Sequence, residues 1–153
     1  MFKKGRKIVM EDNDRQLKEY NALNREIEGL YHVICRKIGL SDSVFIILYT
    51  IWDIGDGCLQ RDICNAASIS KQTIHSAIKK LEEQGVLYLK PGKGREMKIF
   101  LTEMGKDLVK EKIIPVAAME AETHGAMTEE ERQELLRLTR KYLDHFRKKV
   151  KEL

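Results

Sequence analysis

One amphipathic helical pattern, between Ser70 and Gln84, constrains the fold of this chain more than any other segment. Apolar side chains recur there with the three- and four-residue spacing of a single helix face. They are Ile74, Ala77, Ile78 and Leu81. Gly85 comes next, and glycine readily adopts the left-handed conformation that ends a helix. The segment therefore predicts a helix with an apolar back and a polar front. The front residues are Lys71, Gln72, Thr73, His75, Ser76, Lys79 and Lys80.

A β-hairpin pattern follows this helix without a linker. Val86–Lys90 and Met97–Leu101 are short runs rich in residues that favour strands. The segment between them, Pro91-Gly92-Lys93-Gly94-Arg95, contains three turn-forming residues. Another short helical pattern, Leu59–Ala66, precedes the amphipathic helix and is joined to it by the tight connection Ala67–Ser70. Two short helices followed by a hairpin predict a winged helix-turn-helix core.

Positive charge is concentrated on the second helix and the hairpin. Seven lysines and arginines and three acidic residues lie between Ser70 and Lys98, which gives this segment a net charge of +4. The whole chain has 28 basic and 24 acidic residues and the same net charge, so the remaining residues cancel. Clustered basic residues are typical of phosphate binding, whereas an ordinary solvated surface mixes its signs. The pattern therefore predicts binding to double-stranded DNA.

The predicted contacts with DNA divide between three kinds of site. Short polar side chains near the start of the second helix are suited to base edges in the major groove. These are Lys71, Gln72, Thr73, His75 and Ser76. Neutralisation of phosphates is assigned to Lys79, Lys80, Lys90, Lys93 and Lys98. Arg95, in the hairpin turn, is predicted to enter the adjacent minor groove.

Amphipathic helical patterns flank the core on both sides. Between Asp12 and Ile38 the apolar residues recur in steps of three or four, along a helix of about seven turns. After the hairpin, Thr102 predicts a helix start, and Pro115 should bend or divide the helix that follows. A last helix begins with a capping box at Thr128 and Glu131. Its apolar face is formed by Leu135, Leu138, Tyr142, Phe146 and Val150. A small winged domain cannot cover both stripes, which predicts a homodimer.

The predicted fold class is mainly α with a small β-hairpin. Residues 1–40 form an N-terminal arm and a long dimerisation helix, 41–101 the winged helix-turn-helix core, and 102–153 the C-terminal dimerisation helices. No apolar run approaches the length of a membrane span, and the N-terminal residues lack the apolar segment of a secretory signal. We therefore expect a cytoplasmic protein without a membrane partner.

The order of these elements resembles the MarR family of bacterial transcriptional regulators. The hairpin between Val86 and Leu101 corresponds to the wing of this fold. The matching motifs are Ser70-Lys71-Gln72-Thr73-Ile74, then Lys80-Leu81-Glu82-Glu83-Gln84-Gly85, and Leu101-Thr102-Glu103-Met104-Gly105 at the end of the wing. The resemblance extends over nearly the whole chain. It implies an obligate dimer that binds a pseudo-palindromic operator, and usually repression that a small ligand or an oxidant relieves.

The wing departs from the family pattern at one position. Family members commonly carry an aspartate two residues before the wing arginine, and here Lys93 occupies that place while Arg95 keeps the arginine. Gly92 and Gly94 flank Lys93 and allow many backbone conformations. We therefore predict a wing that is looser and more directed to phosphates than is usual in the family.

Cysteines and one mixed helix face are the candidates for regulation. Cys35 lies beside Arg36 and Lys37, which would lower the pKa of its thiol. Cys58 lies in a turn, where we expect its side chain to be exposed. The alternative for both cysteines, and the more common case in proteins, is a buried and unreactive thiol. Glu28, His32 and Cys35 share adjacent parts of one helix face, but a metal site would need a further ligand from another helix. No metal or cofactor is therefore predicted. A candidate effector pocket is lined by Tyr31, Phe45, Tyr49 and Trp52, which are equally suited to an ordinary core.

Two classes of function remain open from the sequence. No phosphate-binding glycine loop, zinc-protease motif or nucleophile elbow is present, so an enzyme is not predicted. The preferred hypothesis is a sequence-specific, ligand-released transcriptional repressor that acts as a homodimer. The alternative is a winged-helix protein-interaction module without DNA binding, which would expose acidic or apolar residues where this chain has basic and polar ones.

Overall fold

The computed structural model describes the backbone of residues 2–67 and 69–153 and the side chains of residues 12–67 and 69–153. The helices are α1 (Phe2–Ile38), α2 (Asp42–Ile54), α3 (Gln60–Ala66), α4 (Lys71–Glu83), α5 (Glu103–Leu108), α6 (Ile114–Gly125) and α7 (Glu129–Lys151). The strands are β1 (Cys58–Leu59), β2 (Leu87–Pro91) and β3 (Met97–Leu101). The chain forms two compact units, Met1–Ile113 and Ile114–Leu153. The predicted fold class, mainly α with a winged core, is confirmed.

Helix α2 supplies the centre of the first unit. Ser41 caps its N-terminus by accepting a hydrogen bond from the Val44 amide at 3.3 Å. The helix packs against both α3 and α4. Ile47, Leu48 and Ile51 are fully buried along it. Because α2 is apolar on most of its surface, it is enclosed by the other elements and forms the support on which α4 is mounted.

The hairpin is part of a three-stranded antiparallel sheet of order β1-β3-β2. Strands β2 and β3 pair from Leu87 opposite Leu101 to Pro91 opposite Met97. Strand β2 therefore begins one residue later than the sequence pattern indicated, because Val86 instead donates its amide to the carbonyl of Leu81 at the end of α4. The sequence did not predict β1, whose two residues give no periodicity of their own.

Helix α1 is longer than the apolar pattern indicated. Its backbone is helical from Phe2, ten residues before the predicted start at Asp12. Among its described side chains, from Asp12 onward, packing is confined to the C-terminal end: Cys35 is buried, whereas the apolar residues of the stripe from Leu17 to Leu30 are exposed. These exposed residues are Leu17, Tyr20, Leu23, Ile27 and Leu30. Contacts of α1 with α2 are consistent with packing at this end alone.

Thr102 connects the end of the sheet to α5. Its hydroxyl accepts the amide of Gly105 at 3.1 Å and donates to the carbonyl of Gly85 at 2.6 Å. Its own amide donates to the carbonyl of Val86 at 3.1 Å. The predicted cap of α5 therefore also connects this helix, through hydrogen bonds, to Gly85 and Val86, the residues that lead into the wing.

The helix after Thr102 divides earlier than predicted. A π-helical segment, Val109–Ile113, separates α5 from α6, and Pro115 lies in the first turn of α6. Proline has no amide hydrogen and its ring crowds the carbonyl four residues earlier, here that of Glu111. The distortion therefore falls in the turn before Pro115, where wider helical hydrogen bonding accommodates it.

The second unit consists of α6 and α7. The capping box predicted at Thr128 is present, with Glu131 accepting the Thr128 amide at 2.8 Å and Thr128 accepting the Glu131 amide at 3.2 Å. No residue of α7 is buried in the described chain. Its apolar face is exposed along its whole length, with Leu138 at 47% and Tyr142 at 43%. Among the described residues, no helix is both long enough and apolar enough to cross a membrane.

Gly105 provides a test of the junction between α5 and the wing. A Cβ at this position would overlap the backbone carbonyl of Val86 and press on the Leu101 side chain. Because backbone cannot move aside cheaply, Gly105→Ala should lower the free energy of unfolding by about 3 kcal/mol. Urea denaturation followed by circular dichroism measures this change.

Gly29→Ala is the matched control, since Gly29 is also helical but a Cβ there meets nothing within 4 Å. This control should raise the free energy of unfolding by about 0.5–1 kcal/mol through helix propensity alone. Equal effects of the two substitutions would contradict the proposed overlap at Gly105.

Candidate nucleic-acid interface

Helix α4 presents the polar front that its sequence indicated. Ser70 caps its start, and its hydroxyl accepts the Thr73 amide at 3.1 Å. Ile74, Ile78 and Leu81 are buried on the back. Gly85, with φ of +73°, leaves the helix in the left-handed conformation. All seven polar residues assigned to the front are exposed. They are Lys71, Gln72, Thr73, His75, Ser76, Lys79 and Lys80.

The exposed residues of α4 form three parallel rows. At about 100° of rotation per residue, Gln72, Ser76 and Lys79 lie along the middle, opposite the buried back. Thr73 and Lys80 flank this row on one side. Lys71 and His75 flank it on the other side. A middle row of an amide, a hydroxyl and an ammonium has the donors and acceptors that base edges and phosphates require.

One flank of α4 borders the start of α2. A groove of about 480 Å³ runs between Ser41 and Ser43, at the start of α2, and the row of α4 that contains Thr73 and Lys80. The Ser41 and Ser43 hydroxyls are 3.3 Å apart. Local sequence patterns indicate Ser41 only as a helix cap and do not place it beside α4, because the two segments are about thirty residues apart.

The other flank of α4 borders α3. The His75 ring nitrogen Nδ1 lies 3.3 Å from Oε1 of Gln60, a hydrogen bond that links the two helices of the pair. On the α2 side, the Thr73 hydroxyl lies 2.8 Å from the Ser70 hydroxyl. Both side chains are therefore held in one orientation by a neighbouring polar group while remaining exposed.

The outer face of the wing sheet combines aromatic rings with two lysines. Tyr88 and Phe100 are stacked, with ring centroids 5.5 Å apart and planes inclined by 18°. The Lys90 ammonium lies 5.4 Å from the Tyr88 ring centroid and 5.3 Å from that of Phe100. Lys98 is the direct cross-strand partner of Lys90. Like charges that face each other across strands repel, so this arrangement favours an anion that bridges them.

Backbone hydrogen bonds at Glu96 close the wing turn. The Gly92 amide donates to the Glu96 carbonyl at 2.8 Å, and the Glu96 amide donates to the Lys93 carbonyl at 3.1 Å. Gly94 has φ of +62°, a conformation that other residues rarely adopt. Lys93 and Arg95 are both exposed on this turn. The turn thus has defined internal hydrogen bonds, although the predicted looseness of the wing concerns motion and stays a prediction.

An ion pair that the sequence does not indicate ties the wing to α3. Nη1 of Arg61 lies 2.7 Å from Oε1 of Glu96. The two residues are 35 positions apart, so no local spacing points to the contact. Only the pairing of β1 with β3, at Cys58 opposite Ile99 and Leu59 opposite Lys98, brings the start of α3 beside the wing.

The predicted effector residues form a chain of aromatic contacts. Ring centroids are 6.3 Å apart for Tyr31 and Phe45, and 5.5 Å apart both for Phe45 and Tyr49 and for Tyr49 and Trp52. Of these four, only Tyr31 lines the neighbouring cleft of about 650 Å³. Phe45 is buried instead in the core. The other residues that line this cleft include Glu28, His32, Asp42, Ile69 and Thr73.

Cys35 is in a different environment from the one expected. It is only 2% exposed, and burial, together with a hydrogen bond to Asp42, raises the pKa of its thiol to about 11. The expectation that Arg36 and Lys37 lower this pKa is therefore wrong, because both side chains are exposed to solvent and Asp42 is the charge that acts on the thiol. Nδ1 of His32 lies 2.8 Å from the same Asp42 carboxylate.

Cys58 is also buried, which corrects the prediction that the turn exposes it. Burial raises the pKa of its thiol to about 11, and the carboxylates of Asp62 and Asp56 add to the effect. Among the described residues no cluster of three or more histidine, cysteine and acidic side chains has a geometry that could hold a metal ion.

These features define the class of the protein as a winged helix-turn-helix protein whose helix α4 has an exposed polar front and whose wing is basic. Residues 38–96 match the family model of the MarR family. The winged core of this chain is therefore similar to that of the MarR family, and the resemblance inferred from the sequence is confirmed. No curated protein matches the chain in sequence.

Solved structures of MarR regulators share the fold. NMB1585, a MarR family regulator from Neisseria meningitidis, is 21% identical, with a TM-score of 0.79 over 90% of this chain and 97% of its own. BpsR of Bordetella bronchiseptica is 23% identical, with a TM-score of 0.62 over 81% of this chain and 98% of its own. MepR of S. aureus, solved as a complex with DNA, is 20% identical, with a TM-score of 0.63 over 83% of this chain and 94% of its own.

The raised thiol pKa values predict slow alkylation. With a pKa of about 11, about one thiol in ten thousand is ionised at pH 7, and only the thiolate is a good nucleophile. Iodoacetamide should therefore modify Cys35 and Cys58 slowly in the folded protein, and the rate should keep rising as the pH increases toward that value. Peptide mass spectrometry measures the modification of each cysteine separately.

The same protein unfolded in guanidinium chloride is the control, since its thiols lose both burial and their carboxylate neighbours. Equal alkylation rates of Cys35 in the folded and unfolded chains at neutral pH would contradict the buried, protonated thiol.

Proposed function

We propose that this protein is a sequence-specific, DNA-binding transcriptional regulator of the MarR type and not an enzyme. The observation that carries the proposal is the polar front of α4, where seven hydrogen-bonding or cationic side chains are exposed together beside a basic wing. A helix with this division of surfaces fits the major groove, which admits one α-helix and distinguishes all four base pairs. The alternative, an interaction module without DNA binding, is disfavoured because these positions are basic and polar.

The division of contacts follows from the rows on α4. Gln72 and Ser76 in the middle row, with Thr73, Lys71 and His75 on its flanks, are proposed to contact base edges near the start of the helix. Lys79 and Lys80 lie a turn further on and are proposed to contact phosphates. The hydrogen bonds between His75 and Gln60 and between Ser70 and Thr73 support this assignment, because a side chain held in one orientation loses less entropy on binding.

The wing is proposed to bind the DNA backbone and the minor groove. Lys90 and Lys98 face each other across the strands, and a phosphate between them would remove their mutual repulsion. Lys93 adds a further cation on the turn. Arg95 on the same turn is proposed to enter the minor groove, where narrow A·T-rich tracts attract a guanidinium.

The exposed helices support a homodimer. Five large residues of the apolar stripe of α1, from Leu17 to Leu30, and the whole apolar face of α7 are exposed in the single chain. We propose that a second copy covers both, so that residues 1–40 and 102–153 serve dimerisation and residues 41–101 bind DNA. Two recognition helices would then lie about 34–36 Å apart, or a multiple of this distance, on a pseudo-palindromic operator.

Repression and release by a small molecule complete the proposal. In BpsR, which shares the fold, DNA binding is regulated by 6-hydroxynicotinic acid. In this chain, the cleft beside Tyr31 and His32 is also lined by Thr73 of the recognition helix. A ligand in this cleft would bias the position of α4 and so shift the population away from the DNA-competent form. Such a regulator acts where the DNA is, which is why a cytoplasmic location belongs to the proposal.

Selection of bound sequences from a random DNA pool tests the proposed function. The wild-type chain should enrich a palindromic consensus, which an interaction module would not do. Gln72→Ala should then relax base preference at defined positions of that consensus and cost about 1–3 kcal/mol in binding. Competition titrations against single-base variants of the consensus measure both effects.

Lys79→Ala is the matched comparison on the same row of α4. It should weaken binding to all sequences by a similar factor and make binding less dependent on salt, because a phosphate contact carries no sequence information. Identical sequence profiles for the Gln72 and Lys79 variants would contradict the assigned roles.

The dimer is tested on α7. Leu138→Glu with Tyr142→Glu places two charges on the apolar face and should give monomers or insoluble protein, because each burial of a glutamate without a partner is costly. Sedimentation velocity at micromolar concentration measures the association state. Lys141→Glu introduces a glutamate on the polar side of the same helix and should leave the dimer intact. A wild-type chain that sediments as a folded monomer would contradict the dimer.

A further inference from the structure

Among the residues that the structure describes, Arg61 and Glu96 form the only ion pair between the wing and the helix-turn-helix. The other described pairs of the first unit link residues within one helix or neighbouring helices. The Arg61 and Glu96 side chains are 68% and 38% exposed, so the contact lies at the surface. Exposed ion pairs contribute little to folding stability. A role in holding the fold together therefore does not account for it.

Glu96 is also the residue on which the wing turn closes. Its carbonyl accepts the Gly92 amide and its own amide donates to Lys93, while its side chain reaches α3. Arg95 is its immediate neighbour, with Cα atoms separated by about 3.8 Å across one peptide bond. Fixing Glu96 to α3 therefore fixes the point from which the Arg95 side chain leaves the backbone.

We propose that Arg61 and Glu96 are positioning residues that aim Arg95 at the minor groove. The position two residues before Arg95 is occupied by Lys93, which cannot hold a guanidinium, and no ion pair of Arg95 is found within the described residues. The ion pair with Arg61 instead constrains the backbone at Glu96, one residue after Arg95. The inference rests on the proposed function, because it assigns how the wing of that same interface is oriented.

The charges predict opposite effects of Glu96→Gln on two kinds of binding. Loss of a carboxylate makes the wing more positive by one charge, so binding to random DNA should become stronger. Loss of the tie should at the same time weaken the contribution of Arg95 to operator binding, because ordering a free turn on the DNA costs entropy. The ratio of operator to random-DNA affinity should therefore fall.

A double-mutant cycle isolates the positioning effect. Arg95→Ala is introduced into the wild type, Arg61→Gln, Glu96→Gln and the exchanged pair Arg61→Glu/Glu96→Arg, and operator affinity is measured for each. Removing Arg95 should weaken binding about tenfold in the wild type and in the exchanged pair, and less than about threefold in the two single variants.

Glu82→Gln is the matched control for charge, since Glu82 is exposed on α4 and has no ion pair within the described part of the chain. It should strengthen operator and random-DNA binding alike and leave the tenfold effect of Arg95→Ala in place. Thermal unfolding of all variants should differ little, which separates positioning from stability. An undiminished effect of Arg95→Ala in both single variants would overturn the proposal.

A measurement on the free protein keeps the inference independent of DNA binding. Backbone ¹⁵N relaxation of Gly94 and Arg95 should show lower order parameters in Glu96→Gln than in the wild type, with order recovered in the exchanged pair. A wild-type chain that enriches no DNA sequence would contradict the proposed function. In that case the relaxation data still test whether the Arg61–Glu96 ion pair restrains the wing. Unchanged order parameters of Gly94 and Arg95 in Glu96→Gln overturn this restraint, and lower order parameters support it.

Discussion

Burial of the apolar back of α4 is the constraint on which the rest of the structure depends. Ile74, Ile78 and Leu81 are enclosed, and α4 packs on α2 and α3 and on the first strand of the wing. Because α4 has only one apolar face to bury, this contact sets the direction of every polar residue between Lys71 and Lys80. It also sets where the chain leaves at Gly85 and therefore where the wing begins. The front of α4 and the basic wing become one surface for this reason.

The same surface is stabilised by polar contacts that are individually weak. Gln60 orients His75, Ser70 orients Thr73, and Arg61 holds Glu96. Each lies near solvent, so each contributes little to the free energy of folding. Their shared effect is to limit the conformations of exposed side chains, which lowers the entropy that DNA binding would cost. The buried core thus fixes the position of α4, and the surface contacts orient individual side chains on it.

Local patterns predicted most elements, and the exceptions have physical reasons. The apolar spacing of α4, the cap at Thr102 and the capping box at Thr128 are all properties of neighbouring residues, and all are present. The two-residue strand β1 has no pattern and exists only because β3 offers it an edge. The π-helical segment before Pro115 shows that the sequence located a distortion but not the turn that absorbs it. Cys35 and Cys58 were misjudged because their thiol pKa values depend on burial and on carboxylates that only the fold brings near.

The sequence by itself determined the winged helix-turn-helix core, the division of α4 into an apolar back and a polar front, and the location of the excess charge, since periodicity and composition are local quantities. Tertiary structure alone decided which residues from distant segments meet. It put the start of α2 beside Thr73 and Lys80 of α4. It also made Lys90 and Lys98 cross-strand partners, and it brought Arg61 into contact with Glu96, 35 residues further along the chain. Such contacts have no signature in a single sequence, because strand register and helix packing, and not spacing along the chain, determine the distance between the atoms.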